Sequence, residues 1–161
     1  MRVKYIATER YQDYKEPSMY ICCIQCGGKC CIEANIPIEV CINDSLRKSK
    51  IFETDDNETI EKYLSNPITE AIIFGGLEPF EQFDEVFSFI EKLRNKYNCE
   101  DTIVIYTGYY ENEVQEYIDK LKQFKNIIVK FGRYIPGNKP HYDDVLGVEL
   151  ASDNQYAKKI S

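Results

Sequence analysis

Strand-like segments alternate with helix-like segments along the middle of this chain, and this alternation restricts the possible folds more than any other feature. Residues 70–76, 102–108 and 126–132 are short apolar stretches that each end in glycine. Between them, residues 79–97 and 111–125 repeat apolar side chains at helical spacing. Parallel strands need long crossovers, which helices usually supply. The pattern therefore predicts an α/β fold with a mostly parallel sheet.

Three further segments complete this prediction. Residues 18–25 ("SMYICCIQ") are expected to form the first buried strand, residues 55–66 a short helix, and residues 145–150 a last strand. The sequence contains no internal repeat, linker or low-complexity segment. Residues 1–161 are therefore expected to form a single domain.

Composition and patterning argue against two classes of partner. The formal net charge of -7 provides no basic surface for a phosphate backbone, so no nucleic acid is expected. Neither a long apolar run nor a secretion signal is present, which predicts a cytoplasmic protein that does not bind a membrane. In that reducing compartment, clustered cysteines are more often metal ligands or catalytic thiols than disulfides.

Six of the seven cysteines lie within residues 22–44, and four of these form two adjacent pairs. Cys22 and Cys23 follow one another in a predicted strand, so their side chains point to opposite faces of the sheet. Cys30 and Cys31 are adjacent in a predicted loop, where neighbours rarely share one metal without strain. At most one member of each pair is therefore expected to join the other two cysteines at one site.

Two kinds of metal centre are compatible with the cysteine spacing. Cys23 and Cys26 form a C-x-x-C pair that could join Cys30 and Cys41 around a structural zinc ion. Alternatively, Cys26, Cys30 and Cys41 could hold a 4Fe-4S cluster, and three ligands would leave one iron open for chemistry. The spacing alone favours the cluster only slightly.

A series of short motifs follows one another along nearly the whole chain: "CGGKC" (26–30), "CIN" (41–43), "FGGLEP" (74–79), "IYTGY" (105–109), "GRYI" (132–135) and "LASDNQ" (150–155). In this order they resemble the motifs of radical S-adenosylmethionine proteins, and specifically those of the small proteins that activate anaerobic ribonucleotide reductases. The cluster loop of that superfamily is usually C-x3-C-x2-C, whereas here ten residues separate Cys30 from Cys41. Because of this departure, Cys31 or Cys23 could replace one of the three ligands.

The resemblance implies a fold and a set of site residues. The fold would be a partial (β/α) barrel with a compact radical S-adenosylmethionine core and a cluster loop at about 26–44. Cys26, Cys30 and Cys41 would hold the 4Fe-4S cluster. The residues that would contact S-adenosylmethionine are Asn43, Gly75, Gly76, Glu78, Thr107 and Gly108.

The resemblance also implies an activity. The protein would reductively cleave S-adenosylmethionine to a 5'-deoxyadenosyl radical and install a glycyl radical on an anaerobic ribonucleotide reductase or another glycyl-radical protein. It would take its electron from a donor such as a flavodoxin or ferredoxin. Two alternatives stay open: an enzyme of the same class that acts on another protein or a small molecule, and a non-catalytic relative that binds zinc or an iron-sulfur cluster.

Overall fold

The structure is a computed structural model that describes residues 1–161. Its strands in chain order are β1 (Arg2–Val3), β2 (Tyr5–Arg10), β3 (Ser18–Cys22), β4 (Phe52–Glu53), β5 (Ala71–Gly75), β6 (Thr102–Tyr106), β7 (Ile127–Phe131), β8 (His141–Asp143), β9 (Val148–Leu150) and β10 (Tyr156–Lys159). Its α-helices are α1 (Lys29–Glu33), α2 (Asp44–Lys48), α3 (Asp56–Leu64), α4 (Phe83–Asn95) and α5 (Gln115–Leu121).

Six strands form the central sheet, in the order β2, β3, β5, β6, β7, β10. The four inner strands are parallel, and both edge strands pair antiparallel with their neighbours. Because β2 and β10 lie at opposite edges, the sheet is open and does not close into a barrel. The radical S-adenosylmethionine core inferred from the motifs stays a prediction.

The helices begin where local hydrogen bonds and proline allow. Asp55 caps α3, because its carboxylate accepts from the backbone amides of Asn57 (2.7 Å) and Glu58 (3.1 Å). The segment predicted as one helix over 79–97 begins with a short 3₁₀ turn at Pro79–Gln82 before α4 starts. A second 3₁₀ turn, Glu111–Glu113, similarly precedes α5, so both helices are shorter than the apolar spacing predicts.

Helices α3, α4 and α5 cover one face of the sheet and build the main core with it. Apolar residues of α3, α4 and α5 pack there against alternate residues of the parallel strands, such as Ile72 and Phe74 of β5. The other face carries Ala71 and Ile73 of the same strand, which pack with Leu146 and Leu150 around the β8–β9 hairpin. This hairpin covers only part of the second face, and a cavity remains at the carboxyl ends of the strands.

None of the helices is both long enough and apolar enough to cross a lipid bilayer.

Candidate functional site

A cavity of about 850 Å³ opens at the carboxyl ends of the parallel strands. In an open α/β sheet this edge is the usual place for a ligand, because loops from several strands converge there. The predicted site residues that line the cavity are Cys26, Cys30, Cys41, Asn43, Gly76, Glu78, Thr107 and Gly108. The fold therefore brings together eight of the nine residues that the motifs indicated.

Gly75 is the exception, since it lies at the end of β5 just below the cavity and does not line it. A Cβ atom at this position would stand 2.8 Å from the hydroxyl of Tyr20, which does line the cavity. Glycine is needed here for the close approach of Tyr20. This position therefore shapes the cavity floor, and contact with a ligand stays a prediction.

The three predicted cluster ligands are half-buried thiols, and two of them accept a backbone N–H. The amide of Gly28 lies 3.4 Å from the sulfur of Cys26, and the amide of Asn43 lies 3.4 Å from the sulfur of Cys41. The backbone amide of Tyr134 faces the Cys30 thiol and opposes the rise in its pKa that burial causes. Such bonds stabilise a thiolate, and hydrogen bonds to sulfur also tune bound iron-sulfur clusters.

Burial works against ionisation of the Cys26 and Cys30 thiols when no metal is bound. It raises the pKa of Cys26 to about 11 and also raises the pKa of Cys30, in both cases against the lowering effect of the amide donor. Cys26 and Cys30 are therefore protonated at neutral pH, and a bound metal would have to displace these two protons.

Cys22 and Cys23 point to opposite faces of the sheet, as their adjacency predicts. Cys23 is fully buried in the main core under the helices, whereas Cys22 is fully buried on the other face, and neither lines the cavity. The four-thiolate zinc set needed Cys23 together with Cys26, and the sheet lies between the core around Cys23 and the cavity. The structure therefore does not bring that set together.

The choice between Cys30 and Cys31 is closer. Both line the cavity, and burial together with the neighbouring Cys41 thiol raises the pKa of Cys31. Cys30 faces Gly108, since a Cβ atom at that glycine would lie 3.0 Å from the Cys30 sulfur. Burial raises the pKa of Cys30 and the Tyr134 backbone amide opposes that rise, while no backbone donor acts on Cys31. These contacts favour Cys30 as the ligand.

The donor set fits a cluster better than a single ion. No three His, Cys, Asp or Glu side chains are grouped closely enough to hold one metal ion, so the thiols share the cavity without forming a compact tetrahedral site. A four-iron cluster is larger than one ion and needs its thiolates farther apart. Three half-buried thiols, two of them four residues apart and the third beyond α1, are compatible with such a cluster beside an open cavity.

Glu78 holds the loop after β5 to the end of β6. Its carboxylate accepts hydrogen bonds from the Thr107 hydroxyl (2.7 Å), the Gly108 amide (2.8 Å) and the Phe80 amide (3.2 Å). Burial raises its pKa from the ordinary 4.5 to about 7, although all three donors oppose that rise. The carboxylate therefore titrates near neutral pH at the wall of the cavity.

Lys130 is a cavity residue that the motifs did not indicate. It lies on β7 and is only 6% exposed, and its ammonium donates one hydrogen bond, to the Gly132 carbonyl at 2.9 Å. Burial lowers its pKa to about 8, against the opposing charges of Cys30 and Glu78. The signal in the sequence was a lone lysine inside the apolar stretch "NIIVKFG".

Arg133 ties the segment that carries Cys30 to the end of β6 and the loop that follows it. Its guanidinium forms two bonds of 2.7 Å to the Glu113 carboxylate, and its Nε lies 2.7 Å from Glu33 of α1 in an ion pair without hydrogen-bond alignment. Lys29, which precedes Cys30, also pairs with Glu113. These bonds, chiefly those from Arg133, lower the pKa of Glu113 to about 2. These ion pairs hold α1 in place through its first residue, Lys29, and its last residue, Glu33.

Comparison with known proteins adds one family match. The model of a family described as "4Fe-4S single cluster domain" matches residues 19–149, which include the cysteine segment and, except for Ser18, all of the parallel strands. No match was found among curated proteins. None was found among solved structures either.

Proposed function

The chain belongs to the family of 4Fe-4S single cluster domains, and from this premise we propose that it is a radical S-adenosylmethionine enzyme that activates an anaerobic ribonucleotide reductase. Iron-sulfur binding follows from the family. The observation that carries the finer proposal is the shared cavity: three candidate thiol ligands and five of the six predicted cofactor contacts line it together.

The proposed ligands of the cluster are Cys26, Cys30 and Cys41. When bound, the cluster would supply the electron that cleaves S-adenosylmethionine to methionine and a 5'-deoxyadenosyl radical, which removes a hydrogen atom from a glycine of the partner. The protein itself binds and orients the reactants and excludes water. Its cavity is large enough for a nucleoside beside the cysteines, since pockets for small ligands measure about 300–1,000 Å³.

Two features of the cavity support a ligand that resembles an amino acid. Glu78 offers a buried carboxylate to an ammonium group, and the backbone of Gly76 and Gly108 lets a ligand approach closely. Apolar side chains from the segment between Cys30 and Cys41, namely Ile36 and Ile38, also line the cavity. They would shield the reacting atoms from solvent.

The first experiment tests the ligand set. We expect anaerobic reconstitution to give about four irons and four sulfides per chain, the composition of one cluster, in the unchanged protein. Cys26→Ala, Cys30→Ala and Cys41→Ala should each abolish cluster binding. Cys99→Ala is the matched control, because Cys99 packs against the main core away from the cavity and should leave the cluster intact. Cluster loss in Cys31→Ala but not in Cys30→Ala would reassign the ligand.

The second experiment tests the chemistry. The reduced, reconstituted protein should convert S-adenosylmethionine to 5'-deoxyadenosine, and mixing it with an anaerobic ribonucleotide reductase should produce a glycyl radical signal in electron spin resonance. A stable cluster without 5'-deoxyadenosine would contradict the enzyme proposal. Formation of 5'-deoxyadenosine without a glycyl radical would reject the reductase as target and favour another substrate.

A further inference from the structure

Lys130 is a buried cation at the cavity without a matching anion. Lys130 is 6% exposed, and its ammonium donates only to the Gly132 carbonyl, at 2.9 Å. The Gln155 amide donates to the same carbonyl, at 3.2 Å. An ammonium can donate three hydrogen bonds, so two of its protons have no acceptor in the protein.

Glu78 is the carboxylate whose charge acts on Lys130, but the two side chains are not close enough to pair. Glu78 forms no ion pair with Lys130, and its two oxygens accept from Phe80, Thr107 and Gly108. A buried ammonium without a paired anion costs free energy, so a chain that keeps one at this position gains something else from it.

The position of Lys130 points to the cysteine side of the cavity. In the sheet it pairs with Tyr106, and its carbonyl accepts the Thr107 amide at 2.9 Å, which places it beside the strand end that carries Gly108. Gly108 in turn faces the sulfur of Cys30. Lys130 alternates with core residues of β7, so its side chain lies on the cavity face of the sheet.

We propose that Lys130 is a positioning residue that supplies the buried positive charge balancing the anionic iron-sulfur cluster beside Cys30, and that it thereby raises the reduction potential of that cluster. Three thiolates give the cluster a net negative charge, which grows when an electron is added. A nearby cation stabilises the reduced form more than the oxidised form, and the low dielectric of the interior enlarges this effect. This inference rests on a cluster held by the cysteines and does not depend on radical chemistry.

The test is a redox titration of reconstituted variants without S-adenosylmethionine, followed by electron spin resonance. We expect Lys130→Met and Lys130→Gln to lower the equilibrium constant for reduction at least tenfold, a fall in midpoint potential of about 59 mV for one electron. Lys130→Arg should keep most of the original potential. Lys158→Met is the matched control. Lys158 on β10 is half exposed, so this substitution removes the same charge at the surface.

A second measurement separates this role from a structural one. Without the cluster, Lys130→Met should be at least as resistant to urea as the unchanged protein, because it removes an unpaired buried charge. If the neutral variants fold but lose the cluster while Lys130→Arg retains it, the counter-charge is needed to hold the cluster, which supports the proposal.

Other results would overturn it. An unchanged potential in both neutral variants would do so, as would an equal fall or an equal cluster loss in Lys130→Arg. A shift that appears only after S-adenosylmethionine is added would assign Lys130 to the ligand carboxylate instead. If the unchanged protein takes up no cluster at all, this inference fails together with the proposed function.

Discussion

Glu78→Gln should change how the stability of the cluster-free protein depends on pH. The buried carboxyl has a pKa of about 7 against the ordinary 4.5. At about 1.4 kcal/mol per pKa unit, this difference corresponds to about 3 kcal/mol of stability. Because the pKa of Glu78 is raised in the folded state, the free energy of unfolding of the protein falls by this amount as the pH rises from 4.5 through 7.

Glutamine has the same shape and does not titrate, so the variant lacks this loss. The glutamine NH2 group takes the place of one carboxylate oxygen and then faces one of the three hydrogen-bond donors around position 78. The lost hydrogen bond lowers the free energy of unfolding by about 1–3 kcal/mol at every pH. The free energy of unfolding of the variant, relative to that of the unchanged protein, should therefore rise by about 3 kcal/mol between pH 4.5 and pH 8.

The assay is urea unfolding of the cluster-free proteins at several pH values under reducing conditions, with other ionisable groups cancelling in the difference. Glu91→Gln, at an exposed position of α4, is the control for loss of a surface carboxylate. A difference between the Glu78 variant and the unchanged protein that stays constant over this pH range would refute the reasoning, because the carboxyl would then titrate at the same pH folded and unfolded.

Three smaller predictions concern the backbone around the site and one helix start. Gly76→Ala should cost about 2–4 kcal/mol in urea unfolding, because a Cβ atom there would lie 2.3 Å from the Cys22 sulfur at a φ of +79°. Gly137→Ala has a φ of +86° but open space, so it should cost only about 1 kcal/mol, and equal costs would contradict the clash. Gly108→Ala should lower the iron and sulfide bound per chain, since its Cβ atom would lie 3.0 Å from the Cys30 sulfur; full loading would contradict this. Asp55→Ala should cost about 1 kcal/mol in thermal unfolding through loss of the α3 cap, Asp55→Asn much less, and equal losses would argue against capping.

The inner part of the fold could be predicted from the sequence because its signals are local. Apolar runs ending in glycine marked β5, β6 and β7, and the helical spacing of aromatic residues marked α4. The edge strands β2 and β10 were not predicted. Edge strands are partly exposed, so their sequences lack a continuous apolar run, and pairing with a neighbour determines them.

The candidate site was predictable to a similar degree. Adjacency alone placed Cys22 and Cys23 on opposite faces, since side chains alternate along any strand. It could not tell which face carries the cavity, because that depends on where the β8–β9 hairpin packs. Only this packing separates Cys23, in the core under the helices, from Cys26 at the cavity.

The sequence by itself determined the alternation of strands and helices, the supply of thiols and the ordered motifs, since each depends on neighbours along the chain. The tertiary structure decided which of these residues meet at one cavity. It also showed that Glu78 is buried among three donors and that Lys130 is buried without an anion. The apolar stretch around Lys130 indicates a buried strand, but which charges and donors face a buried group depends on segments far apart in the chain, so no local pattern could indicate that pairing.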